Sequence, residues 1–121
     1  MARILLAEDH QPLAAMRRTV LNQHGHEVIC AADGKEACLL LAQQPFDLVV
    51  TDSELPKASG WEVATAAKKL KVPVILSSGW PIHLSPHQAA TRGVDYIAPK
   101  PCTLQHLLTL IETALARPAG A

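Results

Sequence analysis

The stretch DLVVTDSELP, residues 47–56, decides the fold class of this chain. Its apolar run at 48–51 is continuous and does not alternate with polar residues, which is typical of a strand buried on both faces of a sheet. The run leads directly into a carboxylate, Asp52. Four other runs of strand length have the same character, at 4–7, 28–31, 74–76 and 94–98.

Stretches with helical spacing of apolar residues separate these runs. The last one is the clearest, because it follows a capping residue, Thr103. The segment 84–92 has little apolar stripe, and we expect it to be mobile. Strict alternation of strand and helix predicts an α/β fold with a parallel sheet covered on both faces. The four apolar stripes are Leu13, Met16, Val20 and Leu21; Ala37, Leu40 and Leu41; Val63, Ala66, Ala67 and Leu70; and Leu104, Leu107, Leu108, Ile111 and Leu115.

Composition limits the classes of function. The chain has 121 residues and is 49% hydrophobic, which suits one compact domain. Eleven basic residues balance eleven acidic ones, so no field of one sign favours nucleic acid or an anionic membrane, and we expect a protein partner. No apolar run approaches the roughly 20 residues needed to span a bilayer. Three cysteines without close pairing and the absence of a leader-like start predict a reduced, cytoplasmic location.

Polar residues follow four of the five predicted strands. In an open parallel sheet the functional crevice lies outside the carboxyl ends of the strands. We therefore expect these side chains to meet at one edge of the sheet. They are Glu8 and Asp9 after the first strand, Asp52 after the third, Ser77 and Ser78 after the fourth, and Lys100 after the fifth.

Three carboxylates placed together repel one another unless a cation neutralises them. Oxygen ligands without His or Cys suit a hard cation, and magnesium fits a site with few protein ligands. Lys100, held between two prolines, adds a fixed positive charge. A divalent cation and an ammonium group together suit phosphoryl transfer. Any one of these carboxylates alone could equally cap a helix or be solvated, so the joint pattern carries the prediction.

The motifs resemble those of the receiver domain of bacterial two-component response regulators and hybrid histidine kinases, the CheY-like family. The resemblance runs from residue 3 to about residue 115 and implies a flavodoxin-like, doubly wound five-stranded parallel sheet of order 2-1-3-4-5 with five helices. It also implies a receiver domain at 1–117, and the terminal residues 118–121 are expected to be a disordered tail. The matching stretches are RILLAED (3–9), AADGKEA (31–37), DLVVTDSELP (47–56), SGWEV (59–63), PVILSSG (73–79) and GVDYIAPKP (93–101).

By this resemblance Asp52 is the phosphoacceptor, which attacks a phosphohistidine of a histidine kinase or phosphotransfer protein. Glu8 and Asp9 resemble the acidic pair that holds Mg²⁺ (or Mn²⁺). Asp52 and the backbone carbonyl of Glu54 would complete the protein ligands. The resemblance implies no enzyme activity beyond the chain's own phosphorylation and dephosphorylation.

The resemblance also assigns the groups that hold the phosphoryl oxygens. Ser78 stands where the family has a Thr or Ser whose hydroxyl bonds one oxygen, with Ser77 as the alternative. Lys100 matches the family lysine that pairs with another oxygen.

Some positions depart from the family pattern. Ile97 stands where the family often has an aromatic switch residue. Tyr96 precedes it but should face the opposite side of the strand. Trp80 and Glu54 should border the phosphoryl group, and we expect them to hinder or reorient the attacking water. Cys102 replaces a usual Phe and is expected to be a small apolar filler.

Family analogy predicts a downstream effector bound by the face of the fourth helix, fifth strand and fifth helix, with a possible homodimer. The balanced charge and the lack of a long apolar run predict no direct nucleic-acid or membrane contact. Two alternatives stay open. One is a degenerate receiver that acts as a phosphorylation-independent interaction module. The other is an aspartyl-phosphate hydrolase, for which Glu54 is the candidate second acid.

Overall fold

The computed structural model of the protein describes residues 2–78, 86–99 and 102–116. Strands and helices alternate along these residues as the hydrophobic pattern predicts. The elements are β1 (Arg3–Ala7), α1 (Gln11–Gln23), β2 (Glu27–Ala31), α2 (Gly34–Gln43), β3 (Leu48–Asp52), α3 (Gly60–Lys69), β4 (Val74–Ser78), α4 (Pro86–Thr91), β5 (Tyr96–Pro99) and α5 (Leu104–Ala116).

The five strands form one parallel sheet with the order β2-β1-β3-β4-β5. The predicted doubly wound, five-stranded fold is therefore confirmed. Every residue of β3 and β4 is buried, which accounts for their continuous apolar sequences. Since all strands point the same way, their carboxyl ends lie at one edge, and β3 is the central strand there.

Each face of the sheet has its own apolar core. One core packs β-strand residues such as Leu6 and Val50 against Leu21 of α1 and Ile111 of α5. The other packs Leu5 and Val49 with buried residues of α2, α3 and α4. Successive strand residues thus belong to opposite cores, as the two-residue period of a strand requires.

Local signals set the helix boundaries. The Asp33 carboxylate accepts a hydrogen bond from Glu36 N (2.7 Å) at the start of α2. Ser59 and Glu62 form a reciprocal capping box at the start of α3. Before α5, the Thr103 hydroxyl accepts from His106 N (3.1 Å), which confirms Thr103 as a cap.

Two members of the predicted apolar stripes are misplaced. Met16 of α1 and Leu70 at the end of α3 are exposed. In α1 the inward position belongs to Arg17, which is only 7% exposed. Leu70 lies beyond the last helical residue, so the helical period no longer points it at the sheet.

Several sequence predictions concern residues outside the described ranges. These are the roles of Trp80 and Lys100, the boundary at 117 and the tail at 118–121. Within the described part of the chain, no helix combines the length and the apolar character that crossing a membrane would require.

Candidate functional site

Three carboxylates meet at the carboxyl edge of the sheet. Glu8 and Asp9 follow β1, and Asp52 is the last residue of the adjacent strand β3. Each offers a ligand oxygen, and these oxygens all lie within 4.8 Å of one another. Glu8 and Asp52 are buried, at 3% exposure each, whereas Asp9 is exposed. The sequence prediction that these groups converge is therefore confirmed.

The Glu8 carboxylate is contacted at both oxygens. Oε1 lies 3.6 Å from Nη1 of Arg17, and Oε2 accepts a hydrogen bond from His10 N (3.1 Å). Burial raises the pKa of Glu8 from its ordinary 4.5 to about 7, and a side-chain hydrogen bond and charge repulsion from Asp52 act in the same direction. The His10 N–H and the Arg17 charge oppose this shift. The raised pKa is the signature of carboxylates crowded in a poorly solvated place.

Close packing around β3 fixes the backbone of Asp52. The Thr51 hydroxyl donates to the Asp52 carbonyl at 3.0 Å. Gly60, the first residue of α3, approaches so closely that a Cβ there would lie 1.9 Å from the Asp52 carbonyl oxygen. Gly60 N also donates to Ser53 O at 3.0 Å. Only glycine permits α3 to begin directly against the end of β3.

The loop between β3 and α3 is tied to the start of α2. Gly34 N donates to Pro56 O (3.1 Å), and Lys57 adopts a positive φ of 70°. Glu54 lies in this loop and is exposed. Together with the acidic cluster the loop forms a cleft of about 430 Å³, lined by Glu8, Asp9, His10, Leu13, Asp52, Glu54, Leu55 and Pro56.

Both serines at the end of β4 are buried. Ser77 is paired in register with Asp52, and Ser78 lies one residue further toward the carboxyl end. Among the described residues, the Ser77 Oγ atom has no hydrogen-bond partner. The geometry therefore keeps both hydroxyls as candidates, as the sequence did.

Tyr96 and Ile97 are half-buried on β5 and face opposite sides, as predicted. Tyr96 packs against the core beneath α1 and α5, and Ile97 packs against the core beneath α2 and α3. Cys102 is half-buried against the same core as Tyr96, which agrees with a small apolar filler.

The acidic cluster fits a hard divalent cation. Its donor set consists only of carboxylate oxygens, and these oxygens are close enough to share one ion. Burial is the main cause of the raised pKa of Glu8, and charge repulsion from Asp52 adds to it; a bound cation would counter both effects by favouring the ionised carboxylate.

Arg17 is the member of the site that the sequence reasoning missed. It was hidden inside an apolar helical stripe, next to Arg18, which is exposed. The available signal was a charged residue at an inward helical position, together with an acidic residue at the end of the preceding strand. His10 and Leu13, which line the cleft, carried no such signal.

Comparison with known proteins finds one matching family model and many similar solved structures. A family model described as the response regulator receiver domain matches residues 4–112. A receiver domain protein from Clostridium thermocellum is 27% identical, with a TM-score of 0.84, 95% of this chain covered and 94% of that chain. A CheY-like receiver protein from Methanospirillum hungatei is 26% identical, with a TM-score of 0.86 and the same two coverages. The response regulator TrrA from Thermotoga maritima, solved in complex with Mg²⁺–BeF, is 27% identical, with a TM-score of 0.82, and the match covers 95% of this chain and 100% of that one.

Proposed function

The chain belongs to the response regulator receiver domain family, and from that membership we propose that it takes a phosphoryl group onto Asp52 as a reversible signal. Receiver domains act with histidine kinases or phosphotransfer proteins on one side and with effectors on the other. One observation carries the proposal: a buried carboxylate at the end of the central strand, with two more carboxylates in reach of the same ion.

The proposed reaction is nucleophilic attack by the Asp52 carboxylate on the phosphorus of a donor phosphohistidine. A bond forms between an Asp52 oxygen and phosphorus while the P–N bond breaks. The electron pair stays on the imidazole nitrogen, which is then protonated from solvent. The chain contributes position and charge, because the close packing of Gly60 against the Asp52 backbone fixes the nucleophile.

Glu8, Asp9 and Asp52 would hold the magnesium ion, with the Glu54 carbonyl as a further ligand from the adjacent loop. When bound, the ion would supply neutralisation of the negative charge on the transferring group. A relative of this chain was solved with Mg²⁺–BeF, which supports this choice of ion. Lys100 is proposed as the second positive charge on the strength of its motif alone.

Phosphodonor labelling tests the acceptor. The wild type incubated with acetyl phosphate and magnesium should gain one phosphoryl group per chain, measured by intact-mass spectrometry, and EDTA should prevent this. Asp52→Asn should gain none. Asp47→Asn is the matched control, since it makes the same change at the exposed, opposite end of β3 and should label normally. Equal labelling of Asp52→Asn and the wild type would refute the assignment.

We propose that the modified site shifts the chain between two conformations and that the effector reads the face of α4, β5 and α5. Ile97 takes the place of an aromatic switch residue there, with Tyr96 on the other face of β5. Beryllofluoride with magnesium should move NMR resonances of α4 and β5 as well as those beside Asp52. Shifts confined to the acidic cluster would contradict the switch.

Two residues are proposed to set the lifetime of the signal. The charge of Glu54 and the bulk of Trp80 should hinder the water that attacks the acyl phosphate. Trp80→Ala should therefore accelerate dephosphorylation, followed as loss of mass after removal of the donor. An unchanged rate would remove Trp80 from this role.

One observation favours the alternative of an interaction module that is never phosphorylated: Arg17 already supplies Glu8 with a positive charge. Such a module would show no labelling and no response to beryllofluoride. The hydrolase alternative predicts continuous turnover of a small phosphoester, with exposed Glu54 as the second acid. Stoichiometric labelling without turnover would argue against both.

A further inference from the structure

Arg17 is an arginine in a place that helices normally fill with apolar residues. It lies on the inward side of α1, at 7% exposure, while its neighbour Arg18 is exposed. Charged side chains are rarely buried to this extent without a partner, because removal from water is costly. The carboxylate that pairs with it is Glu8, 3.6 Å from Nη1.

The pairing orients Glu8 from inside the protein. One carboxylate oxygen faces Arg17 and the other accepts from His10 N, so the group cannot rotate freely. Asp9 is exposed, and among the described residues it makes no ion pair like that of Glu8. Of the two acidic residues after β1, Glu8 is thus the one whose position and charge are set by the core.

We propose that Arg17 is a positioning residue and the internal counter-ion of Glu8, and that it weakens divalent-cation binding at the acidic cluster. The inference rests on the proposed function only in that the cluster binds such an ion. A fixed positive charge beside one carboxylate leaves less negative charge to attract the cation. Because the pair is buried, bulk salt screens it less than a surface pair.

A merely structural role for Arg17 predicts a different outcome. Methionine is unbranched and flexible, so Arg17→Met keeps much of the buried volume while removing the charge. If Arg17 only filled space, magnesium affinity would not change. If it is the counter-ion, the affinity must rise.

The test is the magnesium dissociation constant of the full chain, measured by isothermal titration calorimetry at pH 8.5. Arg17→Met should bind magnesium about tenfold more tightly than the wild type, which corresponds to about 1.4 kcal/mol. Arg18→Met removes the same charge from the exposed side of α1 and should change the constant less than about twofold. Arg17→Lys restores the charge and should bind within about threefold of the wild type.

The outcomes separate this inference from the proposed function. Equal constants for Arg17→Met and Arg18→Met would overturn the counter-ion role alone, while the wild type still binds magnesium and labels on Asp52. No magnesium binding by the wild type would overturn both. If Arg17→Met is unstable without metal, the magnesium dependence of its melting temperature gives the same constant, because binding to the folded state raises that temperature.

Discussion

The acidic cluster at the ends of β1 and β3 and the helix α4 are held in place in different ways. At β1 and β3, the acidic cluster is anchored by a buried ion pair, a backbone hydrogen bond to Glu8 and the contact of Gly60 with the Asp52 backbone. Helix α4 spans six residues, and its buried side chain among those described is Ala89. At the C-terminal end of α4, Lys68 Nζ of α3 donates a hydrogen bond to Thr91 O (2.8 Å). The Arg92 guanidinium lies over the ring of Trp61, which also belongs to α3.

The acidic cluster, where the proposed chemistry would occur, is thus firmly held, whereas α4 can move at a low cost in free energy. Asp52, the proposed nucleophile, must be held still for transfer, and the packing of Gly60 against its backbone restrains it. A segment attached through few buried apolar groups can change position at low free-energy cost.

Gly60→Ala should be the most damaging change. A Cβ at this position would overlap the Asp52 carbonyl, so the backbone of β3 or α3 must shift. We expect the free energy of unfolding to fall by about 4 kcal/mol, measured by urea denaturation. Gly25→Ala is the control: it has open space and only a positive φ of 87°, which should cost about 1 kcal/mol. If both variants lost the same free energy of unfolding, the junction between β3 and α3 would accommodate a side chain as readily as the turn at Gly25.

Glu8 should make stability without metal depend on pH. Its pKa in the folded chain, about 7, lies above the ordinary 4.5, so the folded state retains a proton that the unfolded state has lost. The stabilisation from this proton is complete below about pH 4.5 and is lost as pH rises to about 7. The difference corresponds to about 3 kcal/mol.

Urea denaturation in EDTA at pH 5 and pH 7.5 measures this effect. The wild type should lose more stability between these two values than Glu8→Gln, which cannot titrate. Glu27→Gln, an exposed glutamate on β2, should behave as the wild type does. Identical pH dependence in all three proteins would show that the cluster is solvated and not crowded.

Sequence alone predicted the sheet and the acidic cluster for one physical reason. Parallel strands buried on both faces must be apolar throughout. A continuous apolar run such as 48–51 therefore predicts both the position of the strand and its carboxyl end. The residue after such a run lies at the carboxyl edge, so the sequence predicts that Glu8 and Asp52 lie close together, as they do.

The rest of the site depends on contacts that no local pattern encodes. The apolar residues of α1 predict that Met16 faces inward and give no sign of Arg17, yet Arg17 is buried and Met16 is exposed. A charged residue is buried only when a partner lies across from it, and the Glu8 partner belongs to a different element. The choice between Ser77 and Ser78 likewise depends on twist and register at a strand end.

The serines at the end of β4 lie between the rigid cluster and α4. We expect Ser78→Ala to slow labelling of Asp52 about tenfold, because the family resemblance implies that the Ser78 hydroxyl hydrogen-bonds to an oxygen of the transferred phosphoryl group. Ser77→Ala should label within about twofold of the wild type. It should also unfold with little change in free energy, since its hydroxyl is buried without a hydrogen-bond partner among the described residues. The reverse result in labelling would assign the role to Ser77, the residue in register with Asp52.

The smallest expected effect concerns the end of α4. The Arg92 guanidinium lies 4.0 Å from the centre of the Trp61 ring, a contact worth about 0.5–1 kcal/mol at an exposed site. Arg92→Ala should leave global stability nearly unchanged but speed hydrogen exchange about threefold to fivefold at the amides of residues 92–94, which donate to the Ala89 and Ala90 carbonyls. Arg92→Lys should give an intermediate rate. If exchange at residues 92–94 does not change while the amides of β3 respond, α4 is not the loosely attached element, and the contrast between the two regions fails.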